Sequence, residues 1–245
     1  MRITDSQIHL VTRDSPERPW AFPDRTFQGW SEFGEERIRA EMDRAGVDRA
    51  VLVPPSVDGD RNDACLAAAR DHPDRFAVVG ALGLTDPTNR KLMPALLKTP
   101  GMLGLRGSFR RGDAPKWLDD GTVDWLWPAA EEAGIPLFLH VPGLLDRVAP
   151  IAERYSGLNL AIDHLGMTGS VKEEEIDPTI DQIVALARFP NVVVKASSLP
   201  SIASDPYPYK SMHTRIERVF DAFGPQRVFW GSDLTRLKCS YRECV

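Results

Sequence analysis

Eight short apolar runs recur along this chain, and stretches with the 3.6-residue periodicity of amphipathic helices lie between them. When a helix carries the chain back between strands, successive strands run parallel, and a parallel sheet must bury its faces under those helices. The runs fall at about 3–10, 49–54, 76–84, 102–109, 136–142, 159–165, 191–198 and within 227–236. Eight such strands predict an α/β fold closed into a (β/α)8 barrel over residues 1–245 as one domain, with an open doubly wound sheet as the alternative.

Helices are expected at 35–45, 60–72, 87–97, 123–133, 144–155, 177–188 and 211–223. The first carries Ile38, Met42 and Ala45 on one face and stops at Gly46, while Asp177 and Pro178 read as the N-cap and first turn of another. Residues 11–33 form a long loop whose Trp20, Phe22, Phe27 and Trp30 fit a packed lid or a cover over the barrel rim. Only residues 237–245 follow the last strand, too few for a full covering helix. The expectation is a barrel lacking most of its final helix, with apolar surface on strands eight and one that a homo-oligomer or swapped element covers.

The formal charge of −5 and the scattering of basic among acidic residues give no footprint for a nucleic-acid backbone. No signal-peptide core or membrane-spanning apolar run is present, so neither a membrane partner nor export is expected. Cys65, Cys239 and Cys244 form no CxxC pair and read as free thiols of a cytoplasmic protein.

The ends of the runs carry the chemistry. Asp5, Gln7 and His9 alternate on the first strand, and Arg106 lies on the fourth. His140 ends the fifth, Asp163 and His164 the sixth, Lys195 and Ser197 the seventh, and Asp233 the eighth, with Arg236 three residues on. One histidine after an apolar run is usually a hydrogen-bonded strand end, but the repetition around a barrel mouth points to a site. His9, His140 and Asp233 could ligate a divalent metal such as Zn²⁺, which would acidify a bound water. Asp233, His140 and His164 are the candidate catalytic groups, and Arg106, Lys195, Ser197 and Arg236 the candidates for binding substrate. His72 and His213 are left as structural. Glycines 101, 104 and 107 lack the lysine of a phosphate loop and read as tight strand packing, and no GxSxG elbow or HExxH helix occurs.

The ordered set DSQIH at 5–9, HVP at 140–142, IDHLG at 162–166, VKAS at 194–197 and GSD at 231–233 resembles the amidohydrolase-related family. That resemblance implies a TIM barrel and hydrolysis of lactones or related esters, with decarboxylases in another branch and a metal in many members. The HVP and DHLG pair is similar to the lactonase branch. Family members commonly carry HxH at the end of strand one, whereas here Gln7 stands in the first of those places, and a neutral amide is a poor substitute for imidazole on zinc. Two mechanisms follow: Asp233 acting on metal-bound water, or a metal-independent site. In the second, Asp233 is the base while histidines and Arg106 polarise the carbonyl and hold a substrate carboxylate. The alternatives are non-oxidative decarboxylation and a degenerate barrel that binds a ligand or partner without turnover.

Overall fold

The computed structural model describes residues 2–22 and 31–245. Strands β1 (Thr4–Ile8), β2 (Arg49–Leu52), β3 (Phe76–Gly80), β4 (Met102–Ser108), β5 (Leu137–His140), β6 (Leu160–Ile162), β7 (Val192–Ser197) and β8 (Val228–Gly231) form one sheet in sequence order. Every hydrogen-bonded neighbour pair is parallel. The α-helices are α1 (Glu35–Ala45), α2 (Asp63–Asp71), α3 (Met93–Leu96), α4 (Leu126–Ala133), α5 (Val148–Arg154), α6 (Glu173–Leu186), α7 (Leu199–Ile202), α8 (Lys210–Phe223) and α9 (Tyr241–Cys244). The result is a nearly closed (β/α)8 barrel.

Closure is made by a few specific bonds. β8 lies beside β1, and the Asp233 N–H donates to the Gln7 carbonyl at 2.9 Å. The Ser232 N–H donates to Asp5 Oδ1 at 2.9 Å, and the same oxygen accepts from the Gln7 N–H at 2.9 Å. Tyr241 on α9 donates its hydroxyl to Asp5 Oδ2 at 2.7 Å. Asp5 is fully buried, so its carboxylate replaces the missing strand ladder with three donors that also satisfy it. Gly231 permits the approach, because a Cβ there would lie 2.8 Å from Ser6 Oγ and 3.1 Å from the Gln7 nitrogen. Gly104 does the same on β4, where a Cβ would stand 2.6 Å from the Pro136 carbonyl oxygen, as expected for tight strand packing.

Two apolar clusters flank this frame. One joins β4 to β7 with α4, α6 and α8 through residues such as Leu105, Leu137, Ile162, Val194, Ile180 and Val219. The other joins β1 to β3 with α1, α2 and α9 through Ile8, Leu52, Val78, Ile38, Cys65 and Tyr241. These positions are the apolar halves of the periodic stretches, buried as the pattern requires.

Several boundaries differ from the sequence reading. The helix expected to start at Asp177 begins at Glu173, with Pro178 inside it. Three glutamates suit the first turn of α6, and Glu175 Oε2 accepts the Lys172 N–H at 3.0 Å. Residues expected as one helix at 87–97 divide into a 3₁₀ turn, Pro87–Leu92, and the single turn α3, which has Pro94 in its first turn. β6 stops at Ile162, and His164 and Leu165 take left-handed φ values of 54° and 51°. Trp20 is buried and donates its indole N–H to the Thr12 carbonyl at 2.8 Å, whereas Phe22 is 44% exposed. Phe27 and Trp30 lie outside the described residues.

The tail after β8 does more than its length implied. Tyr241 stacks on Trp230, centroids 6.5 Å apart, and covers the β1–β8 seam, while Phe229 on β8 and Phe220 on α8 stay 43% and 44% exposed. All three cysteines are free. Among the described residues no helix is long and apolar enough to cross a membrane. Tyr241→Phe should lower unfolding free energy by about 1–3 kcal/mol, because a buried carboxylate oxygen loses its donor. Urea unfolding checks this, and an unchanged midpoint would show that the seam does not need that bond.

Candidate active site

At the C-terminal ends of the strands lies a cavity of 460 Å³ lined by His9, Arg106, Ser108, His140, His164, Asp233 and Arg236, with Arg110, Arg111 and Lys238 towards its rim. The placement follows from the barrel, since each strand delivers its last residues to the same face. Local backbone then aims them. His164, Ser198 and Asp233, after β6, β7 and β8, all have left-handed φ (54°, 62° and 55°), a conformation costly for side chains other than glycine, asparagine or aspartate.

Two aspartates of this region are set apart by their partners. Asp163 is fully buried, accepts from Arg106 Nε at 2.6 Å and ion-pairs with Lys195 Nζ at 3.0 Å, off the line of a hydrogen bond. Burial works to raise its pKa, but Lys195 and Arg106 together hold it well below the usual carboxylate range. Asp233 is buried too, and its Oδ1 has no hydrogen-bond partner. Desolvation dominates there and raises its pKa to about 7, against the pull of Arg106 and Lys195. The cations are committed in contact to Asp163 and act on Asp233 only at a distance.

The histidines are neutral. His9 is lowered to about 3, first by burial and then by Arg106, and His164 likewise to about 3 by burial, with Asp163 opposing. Burial and then Arg106 also push His140 well below its ordinary value. The Val53 carbonyl accepts from His9 Nδ1 at 2.7 Å, so Nδ1 carries the hydrogen and Nε2 is a bare acceptor. That lone pair faces the Gln7 amide nitrogen at 3.5 Å and Asp233 Oδ1 at 3.5 Å. A proton on Asp233 relieves the opposition of two lone pairs, which agrees with its raised pKa. His140 Nδ1 pairs with Ser108 Oγ at 3.1 Å and His164 Nδ1 with Ser197 Oγ at 2.8 Å, and the two rings meet edge to face.

Beneath the cavity, Lys195 donates to Gln7 Oε1 and lies over the Phe138 ring, 5.4 Å from its centroid. Burial lowers its pKa, with Asp163 opposing. Gln7 therefore links the buried ammonium to His9, its oxygen accepting from one and its nitrogen facing the other.

The family model described as Amidohydrolase matches residues 4–236. The chain belongs to the amidohydrolase family. It is 27% identical over 221 residues to a 4-sulfomuconolactone hydrolase of Hydrogenophaga intermedia, covering 89% of this chain and 68% of the relative. It is 26% identical over 237 residues to an L-fucono-1,5-lactonase of Burkholderia ambifaria, covering 94% and 79%. Among solved structures, an amidohydrolase from Burkholderia multivorans with bound zinc superposes with a TM-score of 0.80 at 20% identity, covering 99% of this chain and 89% of that one.

The residues of this amidohydrolase fit such an ion poorly. His9 Nε2 and Asp233 Oδ1, 3.5 Å apart, are spaced as two ligands of one metal could be. The third donor is wanting. Gln7 gives its oxygen to an ammonium, and among the described residues no three His, Cys, Asp or Glu side chains gather around one point. Of the expected set of His9, His140 and Asp233, His9 and Asp233 approach each other, while His140 Nδ1 pairs with Ser108 Oγ. Of the groups expected to bind substrate, Arg106 and Arg236 line the cavity. Lys195 and Ser197 are fully buried below it and act through Asp163, Gln7 and His164. Asp163, Ser108 and the rim pair Arg110 and Arg111 were not among the candidates. The alternation of Ser108 and Arg110 with Arg106, already a candidate, along one strand direction was the signal for two of them.

Two outcomes follow. Asp163→Asn should cost about 3–5 kcal/mol in chemical denaturation at neutral pH, since two cations lose their shared counter-charge. Asp233→Asn should stabilise the fold instead. The raised pKa of Asp233 means its ionisation costs nothing below about pH 4, costs progressively more up to about pH 7, and costs most above that. The gain in melting temperature should therefore be larger at pH 8 than at pH 5, and an equal gain at both would contradict the assignment.

Proposed function

We propose that this amidohydrolase opens a small lactone bearing a carboxylate, with Asp233 as general base for the attacking water and without a metal ion. The observation that carries the reading is a buried carboxylate whose Oδ1 has no hydrogen-bond partner and whose pKa is raised to about 7, lining a cavity whose other ionisable groups are cations and neutral imidazoles. A base tuned near neutrality is efficient in proton transfer. Arg106 gives its Nε to Asp163, and among the described residues its terminal nitrogens have no hydrogen-bond partner, so they are available for a substrate carboxylate or a carbonyl oxygen gaining charge. The lactone-hydrolysing relatives support the reaction class.

In this mechanism Asp233 takes a proton from water as oxygen attacks the lactone carbonyl. The imidazole of His140 or His164 stabilises the oxyanion, while Arg106 holds the substrate carboxylate. Collapse breaks the ring C–O bond, and the proton held by Asp233 returns to the leaving alkoxide, giving the hydroxy acid. His9 fixes the position of Asp233 and is itself fixed by Val53 and Gln7. Decarboxylation through a metal-held carboxylate is the weaker reading, because it asks for the third donor that the site lacks. The free thiols fit action in the cytoplasm, and the barrel serves as a single catalytic domain.

Assays on a panel of carboxylated five- and six-membered lactones test this. Asp233→Asn should lower kcat/KM by about 10²–10⁴, and wild-type kcat/KM should fall about tenfold per pH unit below 7. Full activity in the variant, or activity that appears only after divalent metal is added, would overturn the mechanism.

A further inference from the structure

A second cavity of 290 Å³ opens beside the first, between the segments that follow β2, β3 and β4. Ser56, Arg106, Ser108 and Arg111 line both, so the two spaces are contiguous and Arg106 stands at the seam. Beyond the seam the character of the wall changes. Pro54, Phe22, Leu82, Leu84, Ala114 and Trp117 supply hydrocarbon and aromatic surface.

The wall after β3 is built in advance. Asn62 accepts the Ala81 N–H at 2.6 Å and donates to the Ala81 carbonyl at 2.8 Å. Asn89 donates to the Gly83 carbonyl at 2.9 Å, and the Trp125 indole N–H to the Leu84 carbonyl at 2.9 Å. Three carbonyls and one N–H of residues 81–84 are thus satisfied by side chains packed against the segment, and Leu82 and Leu84 add apolar side chains to the lining. Asp60 sits among the lining residues, its pKa raised by burial, and its charge disfavours a second anion there.

We propose that this annex holds an apolar, preferably flat, substituent of the substrate, so that the ester or lactone taken by this chain carries an aryl or short alkyl group as well as a carboxylate. Resting on the lactonase reading, the inference narrows the substrate class. The carboxylate meets Arg106 at the seam, the carbonyl faces Asp233, and the substituent extends between Leu82 and Trp117. Its volume suits a phenyl ring, and the pinned backbone means that little ordering opposes binding.

Calorimetric titration with acetate, phenylacetate and 3-phenylpropanoate reads the annex without turnover. The aryl acids should bind at least about tenfold tighter than acetate, the order expected from burying a ring. Leu82→Trp, which fills the space, should cut that ratio below about threefold, and Trp117→Ala, which removes a wall, is read the same way if the first variant does not fold by circular dichroism. Equal affinity for acetate and the aryl acids, or a ratio that neither substitution alters, overturns the proposal. A parallel comparison of kcat/KM on a carboxylated γ-lactone with and without a phenyl substituent separates the two readings. An aryl preference in titration with no lactone opened removes the lactonase reading alone, whereas turnover without that preference removes the annex alone.

Discussion

The seam between the first and last strands is the constraint on which this molecule depends. Asp5 is buried where a regular barrel would continue its ladder, and it ties the Gln7 and Ser232 amides and the Tyr241 hydroxyl to one carboxylate. The Asp233 N–H completes the join at the Gln7 carbonyl. Closure and chemistry therefore share a corner. The bond that shuts the sheet fixes the backbone of the residue whose side chain faces the cavity, and Gly231 lets the strands come close enough for it.

Electrostatic division does the rest. Two cations, the half-buried Arg106 and the buried Lys195, face two buried carboxylates, Asp163 and Asp233, and contact belongs to one of them. Asp163 is thereby an unconditional anion, while Asp233 is left with burial as its main influence and rests near neutrality. Lys195, out of reach of the cavity, shapes the base through Asp163 and through the Gln7–His9 link rather than by touching substrate.

Much of this was legible in the chain. Periodicity gave eight strands because both faces of a parallel sheet are buried and the apolar runs are unbroken. Strand-end residues His9, His140, His164 and Asp233 could be gathered at one mouth on topology alone. Partner choice was not legible: nothing local says that Asp163 rather than Asp233 takes Arg106, a pairing 57 residues apart. Nor does local sequence reveal that Lys195 reaches across the barrel to Gln7, 188 residues away. Pro178 misled because a helix tolerates proline beyond its first turn when its start is held by other means, here three acidic residues, one of which, Glu175, accepts the Lys172 N–H. The tail is as short as the sequence implied, a single turn at Tyr241–Cys244, but its length could not show that one tyrosine of it covers the seam.

Charge arithmetic connects the missing third donor to the substrate. With Asp233 ionised, the buried group of Arg106, Lys195, Asp163 and Asp233 is neutral; with Asp233 protonated it carries one positive charge. An entering carboxylate is drawn to that charge, and once seated at Arg106 it makes Asp233 a stronger base by opposing its ionised form. Arg110, Arg111 and Lys238 at the rim attract the anion without contacting Asp163, so they raise local substrate concentration and leave the inner balance intact. A fixed ammonium beneath Gln7 thus provides positive field that needs no third ligand, and Gln7, neutral and able both to accept and to donate, is the side chain that position requires.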